Sequence, residues 1–159
     1  MDTYNNVNQQ KVFANTEVYK DQTVKKRGFE RGKLIILSDT ELYALMQEIV
    51  NNHQSIFYGI VYKSQLISAN ELENKSCQGQ ITTLYHNVSQ DSVQFQKYDT
   101  SKLQSLRFDP DKKTVIMLYS YKLGKYANTK IKPVINELEN DPDFDYYIIS
   151  LDNFDILDR

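Results

Sequence analysis

The chain has 159 residues, of which 40% are hydrophobic and 25% are charged, a composition that predicts one globular domain and not a disordered chain. Its formal net charge of −2 provides no overall basic field for nucleic acid, and no apolar run approaches the roughly 20 residues that cross a bilayer. Cys77 is the sole cysteine, which excludes an intrachain disulfide, and with two histidines it cannot supply four Cys/His ligands to zinc.

Residues 1–32 differ in composition from the rest of the chain. Asn, Gln, Thr and Lys dominate, the apolar residues stand apart, and no helical stripe is visible. This pattern predicts an extended N-terminal arm, followed by a single domain over residues 33–159. Two interpretations of the arm stay open: a flexible segment, or a segment that becomes ordered by lying on a neighbouring molecule.

A β-α-β unit is predicted to follow the arm. Residues 34–37 are a short apolar run typical of a buried strand, and Ser38 with Glu41 forms a capping box that starts a helix. One face of this helix is apolar and consists of Leu42, Leu45, Met46, Ile49 and Val50. Residues 56–62, rich in aromatic and β-branched side chains, are predicted to form the next strand.

The middle of the chain is less regular. Residues 65–68 are predicted to pair back as a hairpin strand, and residues 70–79 are predicted to form a polar loop. Residues 81–85 and 93–95 are further short strand candidates. Val93 and Phe95 alternate with polar neighbours, so one face of that strand is expected to meet solvent. A helical turn is then predicted from Leu103, Leu106 and Phe108, ahead of an Asp-Pro-Asp turn signal.

A second β-α-β unit closes the chain. Residues 114–119 and 146–151 are predicted strands, and residues 126–138 are a predicted helix with an apolar face. Pro133 removes a hydrogen bond from the middle of that helix, so a kink or a late start is expected. The fold class is therefore predicted to be α/β (or α+β), with a mixed sheet of about five strands, two main helices and the N-terminal arm.

The C-terminal third resembles a known family. The segment from Lys113 to Ser120 resembles the central strand of thioredoxin-like proteins. Residues 131–138, with their internal Pro133, resemble the first active-site helix of that family, and residues 147–152 resemble its next strand with a terminal Asp. The resemblance implies a thioredoxin-like fold for this part of the chain.

Two departures separate the chain from the active members of that family. Counting back from Pro133, the two redox cysteines of the family fall on Lys125 and Asn128, and neither is a thiol. Only seven residues follow Asp152, so the later hairpin, the cis-proline and the final helix of the family find no place there. Because thiol–disulfide exchange needs an attacking thiolate, the resemblance implies a redox-inactive relative. An unrelated β-α-β unit explains the same residues, and this alternative stays open.

Charge is distributed unevenly along the chain. Five basic residues lie within residues 25–33, whereas residues 137–159 hold eight acidic residues and a single Arg. Opposite charges at the two ends favour contacts between copies of the chain or with a partner protein. Contact with nucleic acid, by phosphate pairing and aromatic stacking, is the disfavoured alternative. The predicted partner-binding residues are Phe13, Tyr19, Lys25, Lys26, Arg27, Phe29 and Arg31.

The other ionisable residues form no pattern typical of catalysis or metal binding. Residues 141–145 have the acidic spacing of a calcium loop, but Tyr146 stands where the sharp turn needs glycine. His53 and His86 lack the polar helpers that paired catalytic histidines require. We therefore expect no catalytic residues, no metal ligands and no cofactor, and an enzyme with carboxylates or histidines in a cleft is the least favoured function.

These observations predict a non-enzymatic structural or assembly protein. It is expected to contact neighbouring subunits, of a larger complex or of a homo-oligomer, through its N-terminal arm and edge strands. A phage particle is one assembly that would suit such a chain. A redox-inactive, thioredoxin-like protein-binding module is the alternative. The first residues lack the regions of a signal peptide, which favours a cytoplasmic or virion location over secretion.

Overall fold

The computed structural model describes residues 12–51, 58–68, 77–89 and 97–159. Within these ranges the chain forms two sheets and four α-helices. The strands are β1 (Phe13–Asn15), β2 (Leu34–Ile35), β3 (Tyr58–Tyr62), β4 (Gln65–Ser68), β5 (Lys97–Asp99), β6 (Lys113–Tyr119), β7 (Phe144–Ser150) and β8 (Ile156–Asp158). The helices are α1 (Thr16–Arg27), α2 (Asp39–Asn51), α3 (Cys77–Asn87) and α4 (Tyr126–Leu138).

The main sheet has six strands in the order β2-β7-β6-β3-β4-β5. Strands β2, β7 and β6 are parallel, and β3, β4 and β5 continue the sheet in antiparallel pairs. The predicted mixed α/β fold is therefore confirmed. Strand β6 lies at the centre and is buried from Thr114 to Tyr119, which explains why its sequence is a continuous apolar run without alternation.

Helices cover both faces of this sheet. Alternate residues of β6 face opposite sides, so Val115, Met117 and Tyr119 belong to one core and Ile116 and Leu118 to the other. The first core is closed by α1, α3 and α4, and α3 packs directly against α4. The second core is closed by α2 and by the turns around residues 103–106.

The two helices predicted from periodicity are present. The Ser38 hydroxyl accepts a hydrogen bond from the Glu41 backbone N–H at 3.2 Å and donates one to the Glu41 carboxylate at 3.0 Å, as a capping box requires. The predicted helix over residues 126–138 matches α4. Pro133 lies inside α4 without delaying its first residue, Tyr126, so of the two expected consequences, a kink or a late start, the late start is wrong.

The extended N-terminal arm is wrong for its described part, residues 12–32. In place of an arm, β1 pairs in parallel with β8, and α1 packs on the main body. The Asn15 side chain caps α1 by accepting a hydrogen bond from the Val18 N–H at 2.9 Å. Gly28 ends the helix with φ = 71°, a left-handed conformation that favours glycine.

The reason for this error lies in the buried face of α1. Its buried residues are Tyr19, Thr23 and Arg27, spaced four apart along one side of the helix. Two of the three are polar, so a search for apolar periodicity finds no stripe. The helix is held by specific hydrogen bonds and ring contacts more than by a generic hydrophobic face.

A second correction concerns residues 81–85, which form part of helix α3 and not a strand. Ile81, Leu84, Tyr85 and Val88 are buried at i, i+3, i+4 and i+7, which is the period of a helix. The segment is rich in β-branched and aromatic side chains, which are frequent in strands, so its composition alone does not indicate a helix. The predicted strand at residues 93–95 lies outside the described residues, and the predicted loop at 70–79 ends inside α3.

Candidate functional site

The candidate site lies where the parallel strands β6 and β7 end side by side. Tyr119 and Ser150 are register partners at their last positions, and the Leu151 N–H donates to the Tyr119 carbonyl at 2.8 Å. In open α/β sheets, ligand sites form beyond the carboxyl ends of the strands. Here the end of α1 and the small β1–β8 sheet lie against this edge.

A buried carboxylate organises this edge of the sheet. Asp152 is 3% exposed. Its Oδ2 accepts hydrogen bonds from the Tyr19 hydroxyl at 2.6 Å and the Tyr121 N–H at 2.9 Å, and its Oδ1 accepts from the Ser120 hydroxyl at 2.6 Å. Burial raises the pKa of Asp152 although these donors lower it. The carboxylate is therefore satisfied by hydrogen bonds but still carries a desolvation penalty.

Tyr19 links this carboxylate to α1. The Ser150 hydroxyl donates to the Tyr19 hydroxyl at 2.8 Å, and the Asp152 N–H donates to Ser150 Oγ at 3.0 Å. Burial and the neighbouring carboxylate both raise the pKa of Tyr19, so its hydroxyl remains a neutral donor. The resulting ring of hydrogen bonds fixes α1 to the ends of β6 and β7.

A small cleft opens beside this network, between α1 and the end of β6. It is lined by Phe13, Gln22, Thr23, Lys26, Arg27, Tyr119 and Tyr121. The cavity of about 20 Å³ has room for about one water molecule. Burial raises the pKa of the Tyr119 hydroxyl, and hydrogen bonding to Arg27 lowers it in part.

Arg27 is the charged group inside this cleft. Its side chain is 8% exposed, and its buried Nε has no hydrogen-bond partner in the structure. Among the described residues, no carboxylate forms an ion pair with Arg27. Buried charges are normally paired, so this guanidinium is an exception that needs an explanation.

The β1–β8 sheet presents an apolar outer surface. Phe13 and Ile156 are paired and buried, so alternation turns Ala14 and Leu157 outward. Of the large apolar side chains here, Val12 is 62% exposed, Phe154 86% and Leu157 74%. We define Val12, Ala14, Phe154 and Leu157 as the β1–β8 surface.

The turn that carries Phe154 is fixed from inside. Asn153 is fully buried, and its Nδ2 donates to the Leu37 carbonyl at 2.8 Å and to Asp39 Oδ1 at 3.0 Å. Arg159 pairs with the same Asp39 at 2.6 Å. The exposed Phe154 ring therefore stands on an anchored turn, which lowers the ordering entropy that binding a partner through it would cost.

The predicted partner-binding residues separate into two groups. Four of them, namely Phe13, Tyr19, Arg27 and Phe29, are buried in the interior of their own chain. The prediction that Phe13, Tyr19 and Phe29 contact a partner is wrong, because their side chains pack in the core; the Phe29 ring, for example, lies edge-to-face on Tyr119 at 5.3 Å. Arg27 is buried as well, but it lines the cleft beside Tyr119.

The other three predicted residues lie at the surface. Lys25 and Lys26 are exposed on the last turn of α1. Arg31 forms ion pairs with Glu17 and Asp21 on α1. Its charge is therefore used within the chain to fix the 3₁₀ turn at Arg31–Lys33 against the helix.

The acidic spacing at residues 141–145 forms a turn. The Asp143 N–H donates to Asp141 Oδ1 at 2.9 Å, and Asp145 pairs with Lys33 at 2.6 Å. Over the described ranges, no three His, Cys, Asp or Glu side chains are grouped so as to hold a metal ion. His53 lies outside the described residues, and the His86 ring contacts Tyr85 edge-to-face.

The positions aligned with the family's cysteines lie at the start of α4. Lys125 directly precedes the helix, and Asn128 is in its first turn. The Asn128 side chain donates to the Arg27 carbonyl at 3.1 Å. The end of α1 therefore contacts the place where the resemblance puts the redox site of the family.

Comparison with known proteins identifies no relative, so the function is inferred from the geometry of the site. No family model matches the sequence, and no curated protein or solved structure is significantly similar to it. None of the helices in the described part of the chain is long and apolar enough to cross a membrane.

Proposed function

We propose that the protein is a non-enzymatic assembly protein that binds a second copy of itself through the β1–β8 surface. The observation that carries this proposal is the exposure of Val12, Phe154 and Leu157 around one two-stranded sheet. Clustered apolar side chains at the surface of a folded protein favour an interaction site. The N-terminal segment contributes to this contact as strand β1, not as a free arm.

The strand edges support the same conclusion. Within the described residues, β1 and β8 pair with each other and with no further strand, so each has one unpaired edge. An open edge offers N–H and C=O groups to an added strand. A two-fold axis beside β8 brings two copies of this edge together in antiparallel fashion, with Phe154 and Leu157 of each copy beside the other.

The charges outside the β1–β8 surface are compatible with contact between copies. Lys25 and Lys26 are exposed at one end of α1, and Glu139, Asp143 and Asp158 are exposed in the C-terminal part of the chain. Complementary charges accelerate association and fix orientation more than they add affinity. We therefore expect the association rate to fall with added salt, while the apolar contact retains most of the affinity.

Sedimentation velocity tests this proposal. The wild type is expected to form a dimer whose fraction rises with concentration, and the Phe154→Ser/Leu157→Ser variant is expected to remain monomeric with an unchanged melting temperature. The control is Tyr43→Ser, because Tyr43 is 68% exposed on helix α2 and is not one of the residues that define the β1–β8 surface. A wild type that stays monomeric up to millimolar concentration contradicts the proposal, as does a dimer that survives the double substitution.

A second candidate function is a redox-inactive, thioredoxin-like protein-binding module. The observation that favours it is the position of the β3–β4 hairpin beside β6, on the side away from β7, and of α3 against α4. In the family, the hairpin and the final helix follow the β-α-β unit. In this chain the corresponding elements precede that unit, so the resemblance would involve a permuted chain order.

Restored cysteines test this second candidate. In a Cys77→Ser background, the Lys125→Cys/Asn128→Cys variant is expected to form a disulfide and to catalyse insulin reduction by dithiothreitol. The matched control is Asn136→Cys/Glu139→Cys, an exposed pair with the same spacing at the other end of α4. Equal activity of the two variants, or none in the first, contradicts the thioredoxin-like assignment.

A further inference from the structure

We propose that the cleft between α1 and the end of β6 is an oxyanion site, in which Arg27 binds a carboxylate or phosphate group. This site goes beyond the proposed self-association. It lies on the inner side of β1, whereas the β1–β8 surface faces outward, so either proposal can fail while the other stands.

The first argument is the unpaired charge. Arg27 is more than nine-tenths buried, lines the cleft and has a buried Nε without a partner. A guanidinium pairs with a planar oxyanion through two parallel N–H groups, one of which is supplied by Nε in the side-on arrangement. An anion in the cleft supplies the countercharge that the buried guanidinium lacks among the described residues.

The second argument is that the end of α1 does not require this guanidinium. The Gly28 N–H donates to the Val24 carbonyl at 2.8 Å, and the Arg27 carbonyl accepts from Asn128 at 3.1 Å. Lys132 lies 3.4 Å from the Gly28 carbonyl. Exposed lysines in the last turn already complement the helix dipole from solvent, so dipole compensation gives no reason to bury a cation.

The carboxylate of the neighbouring network does not neutralise Arg27 either. Asp152 accepts from Tyr19, Ser120 and the Tyr121 backbone. The Tyr121 hydroxyl, which also borders the cleft, donates to Asp155 at 2.9 Å. Both acidic groups thus have their own donors, and the positive charge in the cleft remains available to a ligand.

The remaining lining restricts the ligand. Thr23 and Tyr119 place hydroxyl groups beside Arg27, and the exposed Lys26 stands at the rim. The cavity of about 20 Å³ has room for about one water-sized atom, so it receives a single oxygen of a carboxylate or phosphate group while the rest of the ligand stays at its mouth. The ligand class is thus a single oxyanion, either a free inorganic anion or the carboxylate of an acidic peptide segment.

Thermal unfolding and calorimetric titration test the site with sodium phosphate, sodium acetate and hexaglutamate, against sodium chloride of equal ionic strength. The wild type is expected to melt at a higher temperature with at least one of these oxyanions than with chloride. Binding of hexaglutamate tighter than that of phosphate identifies a peptide carboxylate as the source, and the reverse order identifies a free anion.

Substitutions at adjacent positions complete the test. Arg27→Met is expected to abolish the oxyanion-specific shift while its melting temperature in chloride stays unchanged or rises, because a buried unpaired charge is removed. Arg27→Lys keeps the charge without the planar fork and is expected to bind about tenfold more weakly; it serves if the Met variant does not fold. The control is Lys25→Gln, which removes one exposed positive charge from the same turn of α1 and is expected to leave the oxyanion-specific shift unchanged. No oxyanion-specific shift in the wild type, or an equal shift in the folded Arg27 variant, overturns the proposal.

Discussion

The Tyr19 hydroxyl donates a 2.6 Å hydrogen bond to the Asp152 carboxylate, which lies 133 residues further along the chain. Ser150 adds a second hydrogen bond to the same hydroxyl. This contact joins the first helix to the ends of the two central parallel strands. The cleft around Arg27 and the β1–β8 surface both depend on it, because both are formed where the N-terminal segment meets the C-terminal strands.

Replacing Tyr19 by Phe tests the energetic weight of this contact. The substitution keeps the ring and removes a donor from a buried carboxylate, so we expect the free energy of unfolding to fall by about 1.5–3 kcal/mol. Urea unfolding followed by circular dichroism measures this difference. Tyr43→Phe makes the same chemical change at a 68% exposed position and is expected to have almost no effect. A loss at Tyr19 no larger than at Tyr43 contradicts the role of the contact.

The raised pKa of Asp152 predicts a pH dependence of stability. Desolvation by burial outweighs the hydrogen bonds from Ser120, Tyr19 and Tyr121, so the folded protein holds the proton more tightly than the unfolded chain. The contribution of this group to stability is therefore full below its usual pKa near about 4 and is lost as the pH rises through the raised value.

Asp152→Asn, which keeps an acceptor oxygen without the charge, isolates this effect. The free energy of unfolding of the variant minus that of the wild type is expected to increase as the pH rises from about 4 to 7. Urea unfolding of both proteins at several pH values gives the difference. If this difference stays constant or decreases as the pH rises, the pKa of Asp152 is not raised in the folded protein.

Two adjacent residues of β8 test the inner and outer faces of the small sheet. Ile156 is 2% exposed and pairs with Phe13, so Ile156→Ala is expected to lower the free energy of unfolding by about 2–5 kcal/mol. Leu157 is 74% exposed, and Leu157→Ala is expected to change it by about 0.5 kcal/mol or less in the monomer. Chemical denaturation at low protein concentration measures both. Similar losses at the two positions show that the assignment of faces is wrong.

Alkaline conditions test the packing of Tyr146. Burial and the nearby Glu30 carboxylate raise the pKa of Tyr146 to about 12. Its neutral form is favoured in the folded state, so its contribution to stability is present below about pH 10 and is lost as the pH approaches 12. Tyr146→Phe is expected to lose less stability than the wild type over this interval, as measured by urea unfolding. Parallel losses in the two proteins contradict the assigned shift.

Local signals in the sequence predicted several elements correctly. The Ser38 and Glu41 pair identifies the start of α2, the apolar spacing of Ile131, Val134 and Leu138 identifies α4, and the unbroken apolar run of β6 identifies a central strand. Each of these signals depends on residues within one element, which is why sequence reasoning can find them.

The elements that were missed depend on distant partners. Helix α1 buries Thr23 and Arg27, and its anchor Tyr19 bonds to residues more than 130 positions away, so nothing nearby in the sequence indicates burial. The apolar β1–β8 surface is likewise fixed by the pairing of Phe13 with Ile156. The resemblance placed Asp152 at the end of its strand, and it lies two residues beyond β7; this signal gave no indication of the cleft.

Cross-linking through position 157 tests the proposed self-association most directly. In a Cys77→Ser background, Leu157→Cys places the only thiol on the β1–β8 surface, and Tyr43→Cys places it on α2 as the control. Mild oxidation is expected to convert the Leu157→Cys protein to a covalent dimer much faster than the Tyr43→Cys protein, because the two β8 edges lie side by side. Equal and slow cross-linking of the two variants would contradict binding of a second copy at this surface.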